Sequence, residues 1–184
     1  MKTIKQILFF FKETIKIVIL ALIIVIPIRY FIFQPFVVKG ASMEPNFQQG
    51  NYLIVDEISY RFRSPERGEV IVFKYPQKPS EKFIKRVIGL PGEKIKFEND
   101  QIIIIQQNGE SIFLNEKDYL EPPYFSDNKE FTVPQKQYFV LGDNRLHSYD
   151  SKNWGTVPKN HIIGRVFLRL FPPTKISGFP LPEY

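Results

Sequence analysis

The sequence predicts a mainly β protein, a barrel or sandwich, carried behind one amino-terminal transmembrane helix. Three observations predict it. Residues 17–36 form one long apolar run. Beyond residue 36 no segment sustains a 3.6-residue apolar period; short runs rich in β-branched and aromatic residues recur instead. Gly, Pro, Asn and Asp punctuate those runs as turn formers do. A chain of 184 residues suffices for one compact domain plus a membrane segment.

The first element is the apolar run. A helix needs about 20 residues to cross the hydrocarbon core of a bilayer, and residues 17–36 meet that length with Arg29 as the one charge. Arg29 and Tyr30 lie toward the far end, where a guanidinium can snorkel and a phenol suits the interface. Pro35 is placed to end the helix. Lys2, Lys5, Lys12 and Lys16 precede the run, against Arg29 and Lys39 near its exit. The positive-inside bias therefore puts residues 1–16 in the cytoplasm, with a single pass of the plasma membrane and the rest on the extracytoplasmic side. A cleaved secretory signal is the competing reading, but the run is long and no A-x-A-like site directly follows it.

Residues 37–171 read as the β domain. Candidate strands are 52–55, 70–75, 83–88, 94–97, 101–106, 111–114, 137–141 and 162–170. Asn108-Gly109 is a type I′ hairpin signal, because both residue types tolerate positive φ, and Pro91-Gly92 marks another turn. Residues 115–131, polar and containing Pro122-Pro123, read as an exposed excursion. The Pro-rich tail, residues 172–184, is expected to pack loosely or not at all.

Composition narrows the chemistry. Hydrophobic residues make up 43% of the chain, enough for a substantial core. The formal net charge is +6, but Lys and Arg are spread along the chain and no nucleic-acid-binding motif is present, which points to an anionic membrane surface and not to nucleic acid. With no Cys, disulfides and thiolate catalysis are excluded. His147 and His161 are too few for a His-based metal site, and no H-E-x-x-H occurs.

Three stretches could carry chemistry. In Lys39-Gly40-Ala41-Ser42-Met43-Glu44-Pro45, Ser42 sits among small residues that let a substrate approach. In residues 83–92, Lys85 interrupts an apolar strand; alternation puts it on one face with Phe83 and Val87, where desolvation lowers an amine's pKa. The competing reading has Lys85 in solvent and Arg86 inward with a partner. Residues 141–155 form a loop dense in hydrogen-bonding side chains. Each signal is weak alone.

Together they are not. S-M-x-P at 42–45, K-R-V-I-G-L-P-G at 85–92 and G-D-N-R-x-x-S-x-D-S-x-x-W-G at 142–155, with GNYLIV at 50–55 and RGEVIVF at 67–73, resemble the type I signal peptidases in order and wording. The resemblance implies a signal-peptidase-like β-barrel or sandwich and a membrane-bound serine endopeptidase. Such an enzyme cuts signal peptides from exported preproteins after small residues at −1 and −3, using no cofactor. It implies Ser42 as nucleophile and Lys85 as general base, with Ser148 orienting the lysine. It further implies ion pairs Asp143–Arg86 and Asp150–Lys152, and small-residue pockets lined by Phe36, Val38, Met43, Phe83 and Ile84. The Ser42 N–H is expected in an oxyanion hole. Gly40 stands where some members carry a hydroxyl that assists there, and Leu146-His147 replaces a usual Asp-Asn. Three other readings compete: a His147 base oriented by Asp143 or Asp150, a catalytically inactive membrane-tethered binding protein of the same fold, and an autoproteolytic Ser/Lys repressor.

Overall fold

The computed structural model describes residues 2–31, 33–120, 128–179 and 181–182. Helix α1 spans Lys2–Phe31. It is followed by strands β1 (Phe33–Val37), β2 (Tyr52–Asp56), β3 (Val70–Tyr75), β4 (Lys78–Gly89), β5 (Lys94–Glu98), β6 (Gln101–Ile105), β7 (Ser111–Phe113), β8 (Lys129–Thr132) and β9 (Gln137–Leu141). The short helix α2 (Ser151–Trp154) precedes β10 (Val157–Pro158), β11 (Ile162–Phe171) and β12 (Ser177–Gly178).

The apolar run and the helix do not coincide. Residues 33–36, expected at the end of the span, leave the helix and pair as β1 with β2, Pro35 facing Ile54 and Phe36 facing Leu53. Pro35 therefore does not end the helix. It sits in an edge strand, where the missing N–H costs no ladder bond. Among the described residues no helix is long and apolar enough to cross a membrane.

Two sheets make the body. The larger runs β1-β2-β11-β3-β4-β9-β10, with β12 added to β11; the smaller runs β7-β6-β5-β8. The path of the larger sheet ends at β1 and β10, so the barrel is open. Both faces of its centre are covered, which explains the unbroken apolar run Val70-Ile71-Val72-Phe73. Val70 and Val72 join a core with Val38, Met43, Phe47, Leu53, Ile84 and Val166. Ile71 and Phe73 point the other way, into a core with Val87, Tyr138, Val140 and Val157. The small sheet closes a third core around Ile95, Phe97, Ile102, Ile104 and Phe139.

The turns correct one expectation. The hairpin at Asn108-Gly109 exists, but its loop has three residues: Gly109 N–H bonds Gln106 O, Gln106 N–H bonds Glu110 O, and of the two only Gly109 takes positive φ, at 86°. That is a type I turn closed by a glycine bulge. The two-residue turn with both φ positive lies at Asn99 (50°) and Asp100 (61°), between β5 and β6. Pro91-Gly92 does turn the chain, with Glu93 N–H bonded to Leu90 O.

Two segments pack more than their composition suggests. Within the expected excursion, Glu116 and Leu120 are buried at 4% and 6% exposure and residues 129–132 form β8; residues 121–127 lie outside the described residues. The tail also folds back, through β12 on β11 and through Phe179, whose ring lies 4.5 Å from that of Phe47. Aromatic and β-sheet contacts hold a proline-rich segment whose polarity alone predicts none.

Candidate active site

The site forms where the first turn of chain after β1 meets the middle of β4. Gly40 takes φ of +81°, and residues 41–44 close a turn through Glu44 N–H to Ala41 O. This turn delivers Ser42 to β4, where Lys85 pairs in register with Ile71. Phe83 and Val87, two residues either side of Lys85, both belong to the Ile71–Phe73 side of the sheet, as alternation requires.

Lys85 Nζ lies 2.6 Å from Ser42 Oγ and 3.0 Å from Ile84 O, and the residue is 4% exposed. Its amine also stands 5.5 Å from the centre of the Phe83 ring. Burial pushes the Lys85 amine down to about 8, against the pull of Asp150 and Asp143, while Lys152 adds to the fall. The competing placement of Arg86 holds as well, because this part of the sheet is covered on both sides. Arg86 is buried with Nε 2.9 Å and Nη2 2.7 Å from the two oxygens of Asp143, donates to Gly68 O and lies 4.0 Å from the Tyr119 ring centre.

The 142–155 loop packs against this pair. Asp150 is wholly buried; it accepts from Gly142 N–H at 3.1 Å, caps α2 and pairs with Lys152 at 3.0 Å. Gly142 is obligatory through close approach: a Cβ there would lie 2.3 Å from Ser42 O and 2.2 Å from Ser148 Oγ. Ser148 departs from expectation. Its hydroxyl is buried at this crowded point yet has no hydrogen-bond partner among the described residues, so its expected bond to Lys85 is not made.

A cleft of about 760 Å³ opens on the pair, lined by Phe36, Ser42, Phe83, Ile84, Lys85 and Tyr149 among others. Val38 and Met43, expected in its pockets, are each 1% exposed and belong to the core behind the wall, packed with Phe36 and Ile84. Tyr75 braces Phe83 by stacking at 4.7 Å, and its hydroxyl lies 3.3 Å from that of Tyr149.

Several contributors were given no role by the sequence. Glu116 forms a buried ion pair with Arg145, Nη2 to Oε1 at 2.7 Å, and Arg145 in turn donates to Gly142 O at 3.0 Å. Asn46 Nδ2 bonds both Asp143 Oδ2 and Tyr119 O at 2.9 Å, joining the Ser42 segment to the Arg86 pair. Asn144 reaches back to the same segment, its N–H to Ser42 O at 3.1 Å and its Nδ2 to Ala41 O at 3.2 Å. Apart from the Arg145–Gly142 bond, these partners are far apart in sequence, and pairing at such separations leaves no local pattern.

The chain is similar to known proteins over most of its length. The chain is 40% identical over 182 residues to a signal peptidase I of Leptolyngbya laminosa, covering 94% of this chain and 86% of that one. It is 38% identical over 167 residues to a probable signal peptidase I-2 of Synechocystis sp., covering 88% and 74%. A solved signal peptidase I from Enterococcus faecalis V583 shares 30% identity, over 56% of this chain and 97% of its own, with a TM-score of 0.46. The family model described as signal peptidase, peptidase S26, matches residues 11–171, a stretch holding the serine turn, the lysine strand and the loop that braces them. On that match the chain belongs to the signal peptidase family, peptidase S26.

Proposed function

We propose that this chain is a membrane-anchored serine endopeptidase that removes signal peptides from exported preproteins, with Ser42 as nucleophile and Lys85 as general base. The observation that carries the assignment of roles is the 2.6 Å approach of a buried amine to a hydroxyl. An ordinary lysine is neutral in roughly one molecule in several thousand at pH 7, whereas an amine titrating near 8 is neutral in roughly one in ten. The neutral amine takes the Ser42 proton as Oγ attacks the scissile carbonyl carbon. The resulting ammonium then protonates the leaving amine of the mature protein. A water, deprotonated by Lys85, next attacks the ester carbonyl and frees the signal peptide with a carboxylate end.

The cleft suits an extended substrate. The outer edge of β1 is unpaired among the described residues, and β4 meets β9 only from Arg86 onward. An extended peptide between these two edges adds main-chain hydrogen bonds to each. Phe36, Phe83 and Ile84 then leave shallow room for small side chains at −1 and −3, and Val38 and Met43 act from behind by fixing that wall.

The anchor reading rests on α1. Its large apolar side chains from Ile15 to Ile26 are each at least 47% exposed, with no packed face. A helix apolar all round requires an apolar surround. With the lysines ahead of it, residues 1–16 lie in the cytoplasm and the β body on the extracytoplasmic face of the plasma membrane, where the partners are lipid and preproteins and no nucleic acid is engaged.

The pH profile tests the base. Because the neutral amine is the active form, kcat/KM for a preprotein, measured on the full chain in detergent, rises about tenfold per pH unit toward pH 8 and levels above it. A plateau beginning near pH 7 would transfer the role to an imidazole and overturn the Lys85 assignment.

A further inference from the structure

Asn144 holds the peptide group on the amino side of Ser42. Ala41 O and the Ser42 N–H belong to one trans peptide unit, in which carbonyl and N–H point in opposite directions. Asn144 Nδ2 donates to Ala41 O at 3.2 Å and Asn144 N–H donates to Ser42 O at 3.1 Å, so one residue grips the carbonyls on both sides of the nucleophile. With Ala41 O turned toward Asn144, the Ser42 N–H faces away from it. That N–H donates to no acceptor among the described residues. Asn144 is itself oriented: its Oδ1 lies 3.3 Å from His147 Nδ1, and since an amide oxygen only accepts, Nδ1 carries the proton. Flipping the amide would set two oxygens against each other at Ala41.

We propose that Asn144 is a positioning residue that aims the Ser42 N–H at the developing oxyanion, and that His147 locks Asn144 in the orientation that does so. The inference rests on Ser42 being the nucleophile. It matters in this chain because Gly40 has no side chain with which to supply a second donor, which leaves the reaction dependent on the aim of a main-chain N–H. Such a donor works only if it is fixed before charge develops. The bond from Asn144 should therefore be felt in turnover and not in substrate binding.

The test compares wild type, Ser42→Ala, Asn144→Ala, His147→Ala and His147→Asn, as full chains in detergent with one preprotein. It also measures inhibition by a peptide aldehyde ending in Ala, whose hemiacetal with Ser42 places an oxyanion at the same N–H. Asn144→Ala is expected to lower kcat by about 10–100-fold with KM within about twofold, and to weaken the aldehyde by the same factor as kcat. His147→Ala should lower kcat by a smaller factor, and His147→Asn, which restores a donor, should recover it. Wild-type kcat in Asn144→Ala, or a loss carried by KM with unchanged aldehyde affinity, overturns the proposal; unchanged kcat in His147→Ala overturns the histidine's part in it. If Asn144→Ala does not fold, Asn144→Asp keeps the shape while setting an acceptor against Ala41 O, and must show the same loss. Cleavage by Ser42→Ala would instead overturn the nucleophile reading on which the inference stands.

Discussion

Lys85→Met cleaves no preprotein above about 0.1% of the wild-type rate and yet unfolds at a higher temperature than wild type at pH 7. The loss of activity follows from removing the proton acceptor at 2.6 Å from Ser42, since a serine hydroxyl without its base is a poor nucleophile. The gain in stability follows from the same burial that makes Lys85 useful. Its amine falls from the ordinary 10.5 to about 8 in the folded chain. Between those values the unfolded chain holds a proton that the folded chain lacks, so stability rises with pH across this window, and below it the fold carries the whole penalty. That penalty is about 3 kcal/mol. Methionine has nearly the same shape and carries none of it, though it gives up the contacts to Ser42 and Ile84 O. A net gain of about 1–2 kcal/mol moves the midpoint by a few degrees in a chain of this size. Thermal unfolding of both proteins at pH 7 and near pH 11 separates the causes: the advantage of Met vanishes at the higher pH. A methionine variant less stable than wild type at both pH values would mean that the amine is not desolvated, and the base assignment would lose its physical ground.

How much of this was legible beforehand varies by residue. The run 70–75 reads as a strand from its β-branched content, and its continuous hydrophobicity is what a strand covered on both faces requires. The burial of Lys85 follows from alternation with Phe83 and Val87. Alternation cannot say that Arg86 is buried too, because that depends on Asp143 arriving from 57 residues away to neutralise it. Phe33–Val37 was hidden for a different reason: its apolar residues continue the run of the helix, and only pairing with β2 ends that run. Glu116 looked like one more acid in a polar stretch until Arg145 supplied a buried partner. Val38 and Met43 were legible as residues near the cleft but not as core, since the sequence does not show which side of the wall a side chain takes.

Asp143→Ala is the other change of large effect, and it couples stability to the titration of the base. The Asp143 carboxylate receives Arg86 Nε and Nη2 and Asn46 Nδ2 in a place with no side-chain exposure. Taking it away leaves a guanidinium in the interior without the carboxylate that balances it, which costs about 3–5 kcal/mol. Replacing the pair by apolar side chains, Arg86→Met with Asp143→Leu, removes both charges and should recover most of that loss, so a double-mutant cycle shows strong coupling. Asp143 also pulls the Lys85 amine upward. Without that pull, and with Arg86 unbalanced beside it, Lys85 loses its proton at lower pH, and the rise of kcat/KM in the folded fraction shifts below pH 8. The two readouts answer different questions. A fall in midpoint that the double variant does not recover would deny that charge burial is the cause. An unmoved pH profile in the single variant would mean that Lys85 does not sense Asp143, and the amine's tuning would then rest on burial and Asp150.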